Sequence, residues 1–266
     1  MSIFGESKDV GQQGKMEDAI LTQQKEAVIP TGIQGFDEVL GQGLPTGNLY
    51  LVSGHIGSSS YQFVQQILYN SLISKGKVAY YTVENSSTDI IQDMQLVGMN
   101  IQQYVDEGSW IFGRVIPPSM KQIIEVLPEI PMEQRIELDT SFTALMNHYY
   151  DMIKEGRNTA LNLPLLVRSF PLNEIQNLLF YVTGVVRRYG GIHFILLTEG
   201  AHDQSTMVTI KDTVDSVFEV STATRGAEIE NIITISKIRG MMPKARIVRL
   251  AQRESGLATE TIRRVQ

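Results

Sequence analysis

The sequence predicts a three-layer α/β fold with a mainly parallel central sheet and a C-terminal β-hairpin. Two observations carry this prediction. Residues 48–70, NLYLVSGHIGSSSYQFVQQILYN, consist of a short apolar strand, a glycine-bearing turn and an amphipathic helix in immediate succession. Further along, strongly strand-like runs such as residues 77–83 (KVAYYTV) and 191–198 alternate with helical stretches. This alternation is typical of a parallel sheet that is covered by helices on both faces.

Composition limits the class of protein. The 266 residues are 42% hydrophobic and 20% charged, which is enough to bury one full core. The net charge of −6 and the pI near 5.3 argue against broad binding to nucleic acid or to anionic membranes. The absence of cysteine from the sequence excludes disulfides and thiolate metal sites. No stretch approaches the roughly 18 apolar residues of a membrane span, so we expect a cytoplasmic protein.

Two domain-level regions are expected. Residues 1–28 are mostly polar, with Gly, Gln, Lys and Glu and no sustained apolar period, and we interpret them as a flexible or partner-bound arm. Residues 29–266 show no shift in composition and are expected to form a single domain.

The turn after the first strand follows a phosphate-binding pattern only in part. Residues 54–61, GHIGSSSY, align with the P-loop pattern G-x-x-x-x-G-K-[ST] and are called the 54–61 loop below. Gly54 is kept, but Ser59 stands at the second glycine, Ser60 at the lysine and Tyr61 at the magnesium-binding hydroxyl. The candidate phosphate-binding residues are Gly54, Gly57, Ser58, Ser59, Ser60 and Tyr61.

Each replacement weakens nucleotide chemistry. The P-loop lysine contributes about 1.5–3 kcal/mol as a charged hydrogen-bond donor, which Ser60 cannot supply. The phenol oxygen of Tyr61 extends too far to ligate Mg²⁺ at about 2.0–2.1 Å. Ser59 costs about 1–2 kcal/mol if the loop needs a left-handed residue there. Backbone amides at a helix N-terminus still hold an anion weakly. We therefore expect no cofactor or only weakly bound ATP, without Mg²⁺ and without another metal site.

The stretch before the loop carries a longer and more specific pattern. Residues 29–54, IPTGIQGFDEVLGQGLPTGNLYLVSG, resemble the T-G-I-x-G-[FL]-D-x-[LV]-L-G-G-G-[IL]-P-x-G run that opens the domains of the KaiC/RadA group of RecA-like ATPases. The resemblance continues to about residue 266, through ISKIRG at 235–240 and a C-terminal hairpin at 245–265. It implies a RecA-like P-loop NTPase fold.

The resemblance also implies roles for four residues outside the loop. Glu84 stands where the group usually has the first of two glutamates that activate the attacking water, whereas Asn85 replaces the second. RIELD at 135–139 resembles the Walker B strand, with Asp139 as its aspartate; the structural alternative is a strand-end carboxylate that caps the next turn. Lys237 and Arg239 resemble the K-x-R pair that reaches the nucleotide of the adjacent subunit; the alternative is an interface salt bridge.

Two regions exceed what the resemblance requires. Residues 117–134 and 146–170 have the character of insertions, and we interpret the second as a partner-contact surface or as a helix that packs on the sheet.

None of the four histidines has metal-like spacing, and His193, within a predicted strand, is expected to be a packed core residue.

These observations favour a catalytically degenerate KaiC-like protein, which we expect to be a regulatory or scaffolding subunit and not an enzyme. It would act through protein contacts, either by self-association or in a ring with an active paralogue. The alternatives are an ATP-binding switch that does not hydrolyse nucleotide, and a slow ATPase completed by a neighbouring subunit through a residue such as Lys237. Nucleic-acid binding is disfavoured by the acidity of the chain.

Overall fold

A computed structural model describes residues 27–125, 132–225, 228–253 and 256–260. Twelve strands are present in these residues: β1 Val28–Ile29, β2 Leu44–Pro45, β3 Asn48–Gly54, β4 Lys77–Thr82, β5 Trp110–Ile116, β6 Glu133–Glu137, β7 Arg157–Asn162, β8 Ile192–Thr198, β9 Ser216–Arg225, β10 Glu228–Lys237, β11 Ile247–Arg253 and β12 Gly256–Thr259. Nearly all of the expected arm, residues 1–26, lies outside the described residues.

Nine α-helices are described: α1 Phe36–Leu40, α2 Ser60–Ile73, α3 Ser87–Leu96, α4 Gln102–Asp106, α5 Lys121–Glu125, α6 Thr143–Lys154, α7 Pro164–Ser169, α8 Leu172–Tyr189 and α9 Gln204–Thr213. A 3₁₀ turn at Pro118–Met120 precedes α5. Within the described ranges, no helix combines the length and the apolarity that crossing a bilayer requires.

Ten strands form one sheet in the order β12-β11-β10-β9-β3-β8-β7-β4-β5-β6. Every pairing from β9 to β6 is parallel, and β9, β10, β11 and β12 pair successively in antiparallel fashion. Two apolar clusters cover the two faces of the sheet. The predicted three-layer α/β fold with a C-terminal hairpin is therefore confirmed.

The central strand β3 is the part of the fold that the sequence predicts most directly. All seven of its residues are buried, because β8 and β9 flank it and helical layers cover both faces. Tyr50 points into one cluster and stacks on Phe218, with ring centroids 5.7 Å apart, whereas Leu51 points into the other. The alternation along β3 thus divides its side chains between the two layers.

The interpretation of residues 146–170 as an insertion is wrong, because they contain the core strand β7. This strand lies between β8 and β4, and five of its six residues are buried. Its polar sequence, RNTALN, does not indicate a buried strand. Asn158 is satisfied internally: its side-chain amide donates to Ser71 Oγ at 2.6 Å and its Oδ1 accepts from the Ile192 amide at 2.9 Å. In the region 117–134, residues 126–131 lie outside the described ranges.

His193 is a core residue, as expected. It is fully buried on β8, and its Nε2 donates to the Gly190 carbonyl at 2.8 Å. Its Nδ1 therefore accepts from the Thr159 hydroxyl at 3.0 Å. Burial disfavours the charged ring and lowers the pKa of His193 to about 4.

Candidate functional site: a phosphate-type loop closed by its own side chains

The 54–61 loop joins β3 to α2 at the carboxyl edge of the parallel strands, the edge where ligands bind in open α/β sheets. Three of its backbone amides already have partners within the chain. The His55 amide donates to the Val220 carbonyl at 3.1 Å, and the Ser58 amide donates to the His55 carbonyl at 3.0 Å. The Ser59 amide donates to Asn231 Oδ1 at 2.9 Å. The Ser58 and Ser59 amides are therefore not free to hold an anion in this arrangement.

Ser60 occupies the lysine position and turns inward. It is buried, and its hydroxyl lies against Gly54, where a Cβ atom would collide with it. The Ser58 hydroxyl lies against the same glycine. Gly54 is thus required by the close approach of two serine side chains, and the loop carries a packed hydroxyl where a P-loop extends an ammonium group.

Tyr61 extends from the start of α2 toward the end of β7. Its phenol donates to Asn162 Oδ1 at 3.0 Å, and its ring packs against the apolar cluster on the α2 side of the sheet. Burial and, secondly, the charge of Glu84 raise the pKa of Tyr61, while hydrogen bonds with Thr198 and Asn162 oppose this shift. Because its pKa is raised, the phenol stays neutral at physiological pH.

Asn162 is the site residue that the sequence analysis missed. It is the last residue of β7, and it is buried between the ends of β8 and β4. A weak sequence signal was available: TALN at residues 159–162 is a short run that begins soon after the turn at Gly156 and ends just before Pro164, and such bounds are typical of a strand.

Asp139 does not lie at this site, which corrects the sequence prediction. It follows β6, the outermost strand, which is five positions from β3 in the sheet, about 24 Å at the usual strand spacing. Its Oδ1 accepts from the Ser141 amide at 2.8 Å and from the Ser141 hydroxyl at 3.1 Å, and these bonds lower the pKa of Asp139. Asp139 is therefore a strand-end carboxylate that caps the following turn, which is the structural alternative given in the sequence analysis.

Glu84 does lie at the site edge. It follows β4 at the carboxyl edge, close enough to Tyr61 for its charge to affect the phenol. Its Oε1 forms an ion pair with Arg168 Nη2 of α7 at 3.0 Å. Both side chains are about half exposed, so solvent screens this pair. The carboxylate that would activate water is thereby paired with a cation.

Lys237 and Arg239 lie at the opposite edge of the sheet. Strand β10 runs antiparallel to β9 and ends at Lys237, which is level with Val217 and Leu51, about 10 Å along the strand from the start of the loop. The chain then continues away from the loop to Arg239, whose carbonyl accepts from the Asn48 side chain. Lys237 Nζ donates to the carbonyls of Asp212 at 2.9 Å and Val214 at 2.6 Å. Arg239 Nη1 lies 3.6 Å from the buried carboxylate of Asp215. Neither residue can serve the loop of its own chain.

The residues present do not fit a magnesium ion. Tyr61, at the motif position whose hydroxyl would ligate the ion, is a phenol that donates to the neutral side-chain amide of Asn162. In the part of the chain that the structure describes, no group of three or more His, Asp or Glu side chains is arranged to hold a metal ion.

The strand order and the position of the loop are typical of one class of protein. A loop that connects a central parallel strand to a helix, with helical layers on both faces and antiparallel strands beyond β9, is the arrangement of a KaiC/RadA-like ATPase domain of the RecA superfamily. The family follows from a direct match. A family model described as "ATPase: KaiC" matches residues 29–257, and the chain belongs to this family.

Curated relatives agree with this assignment. The circadian clock oscillator protein KaiC of Thermostichus vulcanus is 30% identical over 143 residues, which are 53% of this chain and 25% of that protein. The KaiC of Acaryochloris marina is 24% identical over 220 residues, 80% of this chain and 40% of that protein. The matches thus span between a quarter and two fifths of the length of these relatives.

Solved structures show the same fold. A KaiC-like protein from Pyrococcus horikoshii OT3 superposes with a TM-score of 0.68, and the flagellar accessory protein FlaH from Methanocaldococcus jannaschii with 0.71. Each match covers 89% of this chain and 100% of the other chain at 15% identity. At this identity the similarity shows the fold alone.

Proposed function

We propose that this chain is a catalytically silent member of the KaiC family, a regulatory or scaffolding subunit that acts through protein contacts. One observation supports this most strongly: the phenol of Tyr61 is hydrogen-bonded to the amide of Asn162 across the mouth of the loop. Tyr61 stands at the motif position whose hydroxyl would ligate a metal ion, and here its phenol is bonded to Asn162 instead.

The rest of the loop supports the same proposal. Ser60 provides no charge for the β- and γ-phosphates, and its hydroxyl packs on Gly54. The amides of Ser58 and Ser59 are held by His55 and Asn231. A triphosphate would have to break these bonds and displace the Tyr61 ring, while gaining no cation from the loop itself.

Assembly is part of the proposal. The chain would self-associate or co-assemble with an active relative, with the Lys237 and Arg239 edge of one subunit facing the loop edge of the next. The opposite placement of these two edges within one chain fits a head-to-tail ring. Lys237 would first have to leave the carbonyls of Asp212 and Val214, which weighs against the alternative of a slow ATPase completed by that lysine.

The test is a paired measurement on the full chain. We expect no Mg²⁺-dependent ATP hydrolysis, and an ATP dissociation constant above about 100 µM, equivalent to roughly −5.5 kcal/mol. Phosphate release and isothermal titration calorimetry measure the two quantities, and Glu84→Gln is the control variant. Turnover that disappears in Glu84→Gln would overturn the proposal, because it would place the chemistry at this site.

One observation favours a second candidate, an ATP-binding switch without hydrolysis. The Arg168 guanidinium, in its ion pair with Glu84, is a cation near the loop that does not belong to the P-loop pattern. If it supplies the missing charge, ATP would bind without Mg²⁺, and Arg168→Ala would abolish that binding. Arg188→Ala, at an exposed site in α8, is the matched control for lost positive charge.

A further inference from the structure

The solvent-facing side of α8 carries a bulky aromatic ring beside an open notch. Phe180 is 60% exposed, although it lies in the middle of an 18-residue helix whose other face is buried in the core. Gly184 follows it after one helical turn and is also exposed. A Cβ atom added at Gly184 would meet no described atom within 4 Å, its own helix backbone and chain neighbours apart. The ring and the notch are thus about 6 Å apart along the helix.

The fold of the single chain does not explain this pair of residues. Glycine in a helix interior is destabilising relative to alanine, and no contact in the described chain requires a missing side chain at Gly184. The exposed ring of Phe180 leaves a large apolar surface in water. A second helix packed on this face would account for both residues, because glycine allows close approach of another chain and the ring would become buried.

The charges of α8 indicate which helix fits. Glu174 is the acidic residue of its first turn, and Arg187 and Arg188 are the basic residues of its last turn. If two copies of α8 lie antiparallel, the acidic end of each copy meets the basic end of the other. A parallel pair would instead place arginine beside arginine, which is repulsive. The helix is therefore complementary in charge to an antiparallel copy of itself.

We propose that the exposed face of α8 binds α8 of a second copy of this chain across a two-fold axis. The axis lies level with Val182, midway between Phe180 and Gly184. Each Phe180 ring then packs on the partner subunit's Gly184, and the two contacts form together, as in any two-fold interface. Glu174 lies within about 3 Å, measured along the helix, of the level of the partner subunit's Arg188.

This contact goes beyond the proposed function. It uses neither the 54–61 loop nor the edge with Lys237 and Arg239, and it joins two chains in a closed pair instead of a head-to-tail ring. The two contacts can therefore fail separately. Arg239→Glu, which reverses charge at the other edge, should leave the α8 contact intact.

Sedimentation equilibrium of the full chain that carries Arg239→Glu is the first test. We expect a concentration-dependent equilibrium of monomer and dimer. Adding Phe180→Ser should weaken the dimer at least tenfold. Leu96→Ser, which removes an 84% exposed apolar side chain from α3, is the matched control and should leave the dimer unchanged. A monomer at every concentration, or equal weakening by the two serine variants, would overturn the proposal.

Gly184→Gln separates association from folding. Glutamine favours helix over glycine and finds open space at this position, so the melting temperature of the dilute monomer should rise. The same side chain fills the notch and should weaken the dimer at least tenfold. Unchanged dimerisation in this folded variant would refute the role of Gly184.

Charge reversal tests which helix ends meet. Glu174→Lys and Arg188→Glu should each weaken the dimer about fivefold at low salt, because each variant turns two attractive pairs into repulsive ones. The variant with both changes should regain the original affinity, since the pairs form again with reversed sign. Additive weakening in the double variant would contradict the antiparallel arrangement.

Spin labels measure the geometry directly. The sequence contains no cysteine, so a single cysteine introduced at exposed Asn173 or Asn177 carries the only label of each chain. Across an axis level with Val182, the two copies of residue 177 are separated by about 15 Å along the helix and those of residue 173 by about 27 Å. Electron–electron resonance should therefore give a distance about 10 Å longer for Asn173→Cys than for Asn177→Cys. Equal distances would show a parallel pair and refute the proposal.

Discussion

The Tyr61 phenol and the Asn162 side-chain oxygen are joined by a 3.0 Å hydrogen bond across the carboxyl edge of the sheet. The two residues are 101 positions apart in the chain. The bond ties the start of α2 to the end of β7, so the mouth of the loop is closed by a contact within the fold itself.

This contact should be measurable as a coupling energy. Tyr61→Phe removes the hydroxyl and leaves Asn162 Oδ1 with one partner fewer, and we expect a loss of about 1 kcal/mol in the free energy of unfolding. A double-mutant cycle with Asn162→Ala should give a coupling of at least about 0.5 kcal/mol in urea denaturation. Tyr69→Phe, on the same helix, is the matched control and should change stability little. Additive effects of the two site variants would contradict the contact.

Restoring the P-loop residues should not restore nucleotide binding. We expect the triple variant Ser59→Gly, Ser60→Lys, Tyr61→Thr to lose about 1–3 kcal/mol of stability, because the partly buried Tyr61 ring is removed. We also expect no saturable binding of Mg-ATP in calorimetry.

The reason for this second expectation lies outside the loop. Asn162 remains a neutral amide in the triple variant, and Asn231 still holds the amide of residue 59. Clear micromolar binding by the folded triple variant would mean that the nucleotide pocket is intact. Adding Asn162→Asp to the triple variant is the informative next step. Asp139→Asn should not change binding, because Asp139 follows β6, the outermost strand of the sheet.

Asp215 should matter far more for stability than Arg239. The Asp215 carboxylate is buried, pairs with Arg187 at 2.5 Å and accepts from the Leu49 amide at 3.1 Å. Asp215→Ala should cost about 3–5 kcal/mol, because a buried charge network loses its centre.

Arg239 is about half exposed and lies 3.6 Å from Asp215, so Arg239→Ala should cost less than about 1 kcal/mol. Urea denaturation measures both values, and Asp212→Ala, an exposed neighbour, is the control. Equal costs for Asp215→Ala and Arg239→Ala would show that Arg239 is a core residue of the fold and would argue against its proposed role at an interface.

Stability should fall as the pH falls, with His193 as a main cause. The pKa of His193 is lowered to about 4 in the folded chain, against about 6.5 when unfolded. The unfolded chain therefore binds the proton first, and stability is complete above pH 6.5 and is lost between pH 6.5 and 4. The expected loss is about 3 kcal/mol, at ~1.4 kcal/mol for each pH unit.

Chemical denaturation at pH 7.5 and pH 5 measures this slope, and His193→Gln should reduce it. A smaller slope should remain, since burial also lowers the pKa values of His148 and His202. A slope that is unaffected by His193→Gln would contradict the assignment.

Light scattering tests the proposed assembly. We expect a mass above that of a monomer, either for the chain alone or with an active relative, and we expect Arg239→Glu to reduce it by reversing charge at the interface edge. Glu107→Lys is a control for charge reversal at another exposed position. A monomer at high concentration in both experiments would remove the assembly part of the proposal.

Local sequence signals are enough to predict some of the elements. The apolar run of β3, the turn after it and the helical period of α2 lie within residues 48–70, and all three are present as predicted. The replacement of the P-loop lysine by Ser60 and of the magnesium-binding hydroxyl residue by Tyr61 can also be recognised without a structure, because each position is defined within a short motif.

Which strand lies near the loop depends on the packing of the whole domain. Strand β6 carries the motif-like aspartate at its end, yet it is the outermost strand, while the polar β7 is inserted between β8 and β4. The order of parallel strands depends on how long crossover connections pack across the sheet, and no local pattern records it. For this reason Asp139 was the residue suggested by the sequence, and Asn162 is the one that contacts Tyr61 in the folded chain.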